Sequence, residues 1–126
     1  MGQKVHPRSF RLQADKKWAT KWFTRSKAEN ARFIKEDQQV RDLIEQKFNQ
    51  RPTIANIKTE RSSNAITVTI YTAKAGVVIG KGGAGVTELR QDIEKITGLP
   101  AKINVEEVRR PDLSAKLVAE NIAHQL

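Results

Sequence analysis

Val-Val-Ile-Gly-Lys-Gly-Gly-Ala-Gly-Val-Thr-Glu-Leu-Arg-Gln-Asp-Ile-Glu-Lys-Ile, residues 77 to 96, is a glycine-rich turn feeding a helix. Gly80, Lys81, Gly82 and Gly83 form a G-x-x-G loop. Before it stand the apolar residues Val77 to Ile79, and after it Val86, Leu89, Ile93 and Ile96 recur at helical spacing. Glycines remove the Cβ atoms that would hold a second backbone away. A following helix N-terminus offers unpaired N–H groups and partial positive charge, and Lys81 adds a mobile cation. This chemistry suits a phosphate.

Three readings compete for the loop. Gly76 to Gly82 reads G-x-x-x-G-K-G, one residue short of a Walker loop and without the Ser or Thr that holds magnesium. Gly80 to Gly85 does read G-x-G-x-x-G, and Glu106 follows at about the 20-residue distance of a ribose-binding acid, so a dinucleotide-binding domain is the alternative reading. Its context is poor, because the clear strand, Ile66 to Thr72, is separated from Gly80 by Ala73 to Ile79. The third reading is the KH module, in which a G-x-x-G loop between two helices clamps about four nucleotides of single-stranded nucleic acid. Ile79 to Val86 resembles that family's I-G-x-x-G-x-x-I core.

Outward from the loop, the elements fall into an α+β order. Ser26-Lys27-Ala28-Glu29 is a capping box, and Phe33, Ile34, Val40, Leu43, Ile44 and Phe48 mark the buried face of the helix it opens, which Asn49 and Arg51-Pro52 stop. From Ile54 the period becomes two. Ala55, Ile57 and Thr59 alternate with Asn56, Lys58 and Glu60, and after a turn at Ser62 to Asn64, Ile66, Val68 and Ile70 alternate with Thr67, Thr69 and Tyr71. A short helical piece at Lys74 to Val78, the loop, a helix from Ala84 to Ile96, and a strand from Lys102 to Val108 follow. Pro111-Asp112 opens a last helix striped by Leu113, Leu117, Val118, Ile122 and Leu126, with neither cap nor finish. The expected fold is a type II KH domain, a three-stranded sheet with helices on one face. It spans residues 26–109, between an extended basic arm at 1–25 and a helix at 110–126 leading to a further domain.

Charge points to the partner. The 126 residues carry a formal net charge of +9. Residues 1 to 27 hold Lys4, Arg8, Arg11, Lys16, Lys17, Lys21, Arg25 and Lys27 against Asp15, a net +7, which leaves +2 for the remainder. A cationic leader before a nearly neutral fold is drawn to polyanions, nucleic acid first among them. Trp18, Trp22 and Phe23 interrupt the charges, and their spacing favours docking of the arm on the domain over base stacking. The sequence contains no cysteine, so disulfides and thiolate chemistry are excluded. No apolar run approaches the ~18 residues of a membrane span, and His at position 6 fails the myristoylation pattern that Met1-Gly2 begins. With only His6 and His124, no catalytic or metal-binding constellation can be assembled.

The chain also resembles, along its whole length, the family of the third protein of the bacterial small ribosomal subunit. Gly2-Gln3-Lys4-Val5-His6-Pro7 carries the resemblance most specifically. Trp18-x-x-x-Trp22-Phe23, Thr69 to Ala73, Ile79-Gly80-Lys81, Leu99-Pro100-Ala101 and Ala115 to Glu120 follow in matching order. The resemblance implies a non-enzymatic, cytoplasmic ribosomal protein that needs no cofactor. It implies binding to 16S-type ribosomal RNA in the subunit head, near other head proteins and the messenger RNA entry path. The RNA-binding residues it suggests are Gly80, Lys81, Gly82 and Gly83 in the loop, with Lys4, Arg8, Arg11, Lys16, Lys17 and Lys21 in the arm. The family's second domain lies beyond the helix that stops at Leu126.

Overall fold

A computed structural model describes residues 2–12, 14, 17–48 and 53–126. The element order is α1 (Pro7–Phe10), β1 (Thr20–Lys21), α2 (Lys27–Lys47), β2 (Ile54–Arg61), β3 (Ile66–Thr72), α3 (Ala75–Ile79), α4 (Ala84–Thr97), β4 (Ala101–Glu107) and α5 (Ala115–Gln125). The sheet has four strands in the order β1-β2-β3-β4. β2 and β3 form the expected antiparallel hairpin, whose turn closes through Ser62 N–H to Ala65 O at 2.9 Å. β4 runs parallel to β3, so the segment between them must cross over, and α3, the glycine loop and α4 form that crossover.

The α+β KH architecture expected from the sequence is present, with one strand more. The addition is β1 in the arm, parallel to β2 with Thr20 opposite Thr59 and Lys21 opposite Glu60. Two residues are too few to show a period, which is why the pattern reading treated them as arm. The arm is not simply extended. Pro7 begins the short helix α1 at the position where its missing N–H costs nothing, and His6 Nδ1 accepts the Arg8 N–H at 3.2 Å as its cap.

Ser26 caps α2 as its sequence predicts, its Oγ accepting the Glu29 N–H at 3.1 Å. The expected stop at Asn49 and Arg51-Pro52 lies outside the described residues. The buried positions of α2 are Asp37, Val40 and Ile44. Ile34 departs from expectation at 56% exposure, because it sits about 100° round the helix from Phe33, which lies four residues before Asp37 on the inner face.

The core lies between the helices and one face of the sheet. Val40 and Ile44 from α2, Ile57 from β2, Ile66, Val68 and Ile70 from β3, Val78 from α3, and Leu89 and Ile93 from α4 are all buried, with Ile96, Ile103 and Val105 packed at the margin. Each buried aliphatic side chain contributes roughly 1.5–3 kcal/mol. Lys47 Nζ to Asp92 Oδ2 at 2.7 Å joins α2 to α4 at the rim of this core.

At the C-terminal end, Pro111–Leu113 forms a separate 3-10 turn and Ser114 starts α5, its Oγ accepting the Leu117 N–H at 3.5 Å. The last helix therefore does have a cap. Leu117 is buried against the domain and Lys116 reaches Glu45 of α2 at 3.1 Å, while Leu113, Val118 and Ile122 remain exposed.

Candidate nucleic-acid interface

The loop lies between α3 and α4, and three of its residues have positive φ. Gly80 sits at φ 74°, ψ −174°, a region open essentially to glycine alone, and Gly82 (φ 60°, ψ 23°) and Gly83 (φ 77°, ψ 9°) are left-handed. A Cβ on Gly82 or Gly83 would meet nothing within 4 Å. The space beside them is open to an incoming backbone. Gly83 is the N-cap of α4 and supplies no side-chain cap, so N–H groups of the first turn lack a side-chain acceptor. Lys81 stands exposed in the turn.

Gly85 serves packing instead. A Cβ there would lie 2.8 Å from Val78 O and 3.0 Å from Ile79 O, so the first turn of α4 is pressed against the end of α3. A helix, rather than a strand, therefore leads into the glycines, and the strand-first context of a dinucleotide fingerprint is not met. Glu106, the acid of that reading, is exposed on β4.

Only Val78 of the apolar run before the loop is buried. Val77 and Ile79 are exposed beside the glycines as apolar surface. The short helix expected at Lys74 to Val78 is present as α3, and five helical residues can bury only one face.

The arm places its cations elsewhere. Lys4, Arg8, Arg11, Lys17 and Lys21 are exposed, with the Arg11 side chain donating to Pro7 O, and Lys16 lies outside the described residues. Among the described residues, no hydrogen bond or ion pair joins the arm to Gly80–Gly83. Loop and arm are two surfaces.

What holds the arm is a buried charged cluster that pattern reading missed. Trp22 docks as expected, donating Nε1–H to Asp37 Oδ2 at 2.6 Å and meeting Phe33 edge-on at 5.5 Å, whereas Trp18 and Phe23 remain exposed. Arg61, with its side chain 2% exposed, donates to Glu36 at 2.6 Å and to Asp37 Oδ1 at 3.0 Å and covers the Phe33 ring at 4.1 Å. Their positions were the available signal. Asp37 precedes Val40 by three residues and Arg61 follows Thr59 by two, both in phase with the buried face.

A model of the KH domain family matches residues 39–113. The chain belongs to the KH domain family. Its relatives agree with the resemblance that Gly2 to Pro7 carries. The chain is 47% identical over its whole length to a protein of Shewanella loihica named small ribosomal subunit protein uS3, covering 54% of that relative. It is 48% identical to one so named from Buchnera aphidicola subsp. Cinara cedri, covering 53%, and 46% identical to one from Carboxydothermus hydrogenoformans, covering 56%. The chain thus spans about half the length of these relatives.

Proposed function

We propose that this chain is a structural, non-catalytic constituent of the bacterial small ribosomal subunit in the cytoplasm. It binds small-subunit ribosomal RNA in the head and touches messenger RNA near its entry path. The G-x-x-G loop of a KH domain at residues 26–109 receives a phosphate backbone, the arm at 1–25 binds ribosomal RNA by charge, 110–126 leads to a further domain, and neighbouring head proteins are further partners. The observation that carries the RNA-binding reading is the open, left-handed Gly82-Gly83 pair ahead of a helix without a side-chain cap. The relatives' name supports the ribosomal setting.

The test is Gly82→Asp, which adds a side chain and a negative charge where phosphate would approach, its Cβ meeting no protein atom within 4 Å. We expect a native circular dichroism spectrum and at least about a ten-fold loss of affinity for single-stranded RNA, the loss of one or two charge-assisted contacts. Unchanged affinity with a native spectrum would make the loop a structural turn.

A further inference from the structure

At the edge of the sheet opposite β4, the arm folds back onto β2. β1 covers only the later part of that strand's edge, from Thr59 onward. Before it, Arg41 of α2 reaches round, donating to Ile57 O at 2.7 Å and to Ala19 O and Thr20 Oγ1 at 3.2 and 3.0 Å. Here a cleft of about 680 Å³ opens, and its walls bring together Arg8, Arg41, Lys58, Lys116 and Tyr71. None of the loop glycines lines it.

The charge balance of this cleft is lopsided. Among the described residues lining it, the one carboxylate, Glu45, is engaged by Lys116 at 3.1 Å. Arg41 is half-buried, and among the described residues its hydrogen bonds go to neutral oxygens. Among the described residues, neither Arg8 nor Arg41 has a carboxylate within ion-pairing distance. Burial, chiefly, holds the Arg41 pKa below its ordinary value; the nearby Asp37 and Glu45 charges oppose this and the like charge of Arg8 adds to it. Two guanidinium groups thus line one cleft, and among the described residues neither is ion-paired. Lys58 Nζ lies over the Tyr71 ring, 5.1 Å from its centre, so the ammonium must move off the ring onto an anion before that aromatic face is free.

We propose that this cleft is a second RNA-contact site, in which Arg8, Arg41 and Lys58 hold a phosphate and Tyr71 receives the adjoining base. A nucleotide matches both features at once, anion for the cations and π-face for the ring, whereas an acidic peptide matches only the first. Arg41 acts from a fixed position, because its hydrogen bonds tie it to the strand edge. Arg8 arrives on α1, so docking of the arm completes the site. The inference deepens the RNA-binding reading above and rests on it.

The experiment titrates the full chain and its variants with a single-stranded oligouridylate long enough to span both sites, and separately with poly-glutamate. The Arg8→Gln, Lys58→Gln double variant spares every hydrogen bond of Arg41. It should bind RNA about ten-fold more weakly at low salt and flatten the slope of log affinity against log salt by about 0.7 per phosphate lost. Oligouridylate should also shift the Arg41 side-chain NMR resonances, and should still do so in Gly82→Asp. Wild-type affinity and slope in the double variant, with binding still sensitive to Gly82→Asp, overturn the cleft and leave the loop reading standing. Arg41 shifts with poly-glutamate but not with oligouridylate make the cleft a protein-binding surface and equally overturn the proposal.

Discussion

Trp22 and Arg61 meet on one carboxylate: the indole N–H takes Asp37 Oδ2 at 2.6 Å and the guanidinium takes Asp37 Oδ1 at 3.0 Å. Asp37 is thereby shared between the arm and the sheet. Its burial is tolerable because both oxygens are engaged and a cation is adjacent. Removing the carboxylate in Asp37→Ala leaves Arg61 buried with Glu36 as its one ion-pair partner among the described residues. We expect a loss of about 3 kcal/mol in urea denaturation. Trp22→Phe keeps an aromatic ring near Phe33 but lacks the donor, and should cost about 1–2 kcal/mol while making the arm more susceptible to protease. Wild-type stability in both variants would show that the cluster contributes no net energy.

The loop glycines should separate into two classes on substitution. Gly85→Ala drives a methyl group against two backbone carbonyl oxygens that cannot turn aside, and should cost about 1–3 kcal/mol. Gly82→Ala meets no atom and adds only left-handed strain, about 1 kcal/mol. Thermal denaturation of the two variants checks the order. A Gly82→Ala protein less stable than Gly85→Ala would mean that the close approach of α3 and α4 relaxes freely.

The Lys47–Asp92 clamp should appear in the acid limb of stability. The hydrogen bond from Lys47, the largest cause, together with the charges of Lys47 and Lys95, holds the Asp92 pKa below its ordinary value despite partial desolvation. A carboxylate depressed in the folded state stabilises above its unfolded pKa, about 3.9, and that contribution disappears as pH falls through the lower folded value. Asp92→Asn should therefore lower the melting temperature at neutral pH, and the gap from wild type should close as pH falls below the ordinary carboxylate range. A gap independent of pH would mean that Asn disturbs packing rather than removing a charge interaction.

The crossover and hairpin were readable because their side chains are apolar and periodic: Leu89 and Ile93 follow the helix, and Ile66, Val68 and Ile70 the strand. Asp37 and Arg61 occupy the same phases, but charge suggests water unless a partner is known, and theirs lie about 24 residues apart in sequence. Thr20–Lys21 pairs with a strand some forty residues onward, a contact that local pattern does not encode. The cleft at the β2 edge was hidden for the same reason, since Arg8, Arg41, Lys58 and Lys116 come together only when the arm and α5 fold back.

Cutting the arm at two places should separate binding from folding. Deleting residues 1–17 removes Lys4, Arg8, Arg11, Lys16 and Lys17 but spares β1, the Arg41 contacts to Ala19 and Thr20, and Trp22. If three of those cations reach phosphates, the slope of log affinity against log salt should flatten by about 2 units, with little loss of stability. Deleting residues 1–25 also strips the fourth strand and leaves Asp37 Oδ2 without its indole partner. That protein should be at least about 2 kcal/mol less stable than the shorter deletion, the cost of a charge-assisted hydrogen bond lost from a buried carboxylate. Lys81→Ala, which removes one cation, should change the slope by less than about one unit and leave stability untouched. The shorter deletion is thus the informative one, because it changes charge without changing the domain. Equal salt slopes for it and the full chain on the same RNA would assign the arm to docking alone and leave the loop to carry the binding.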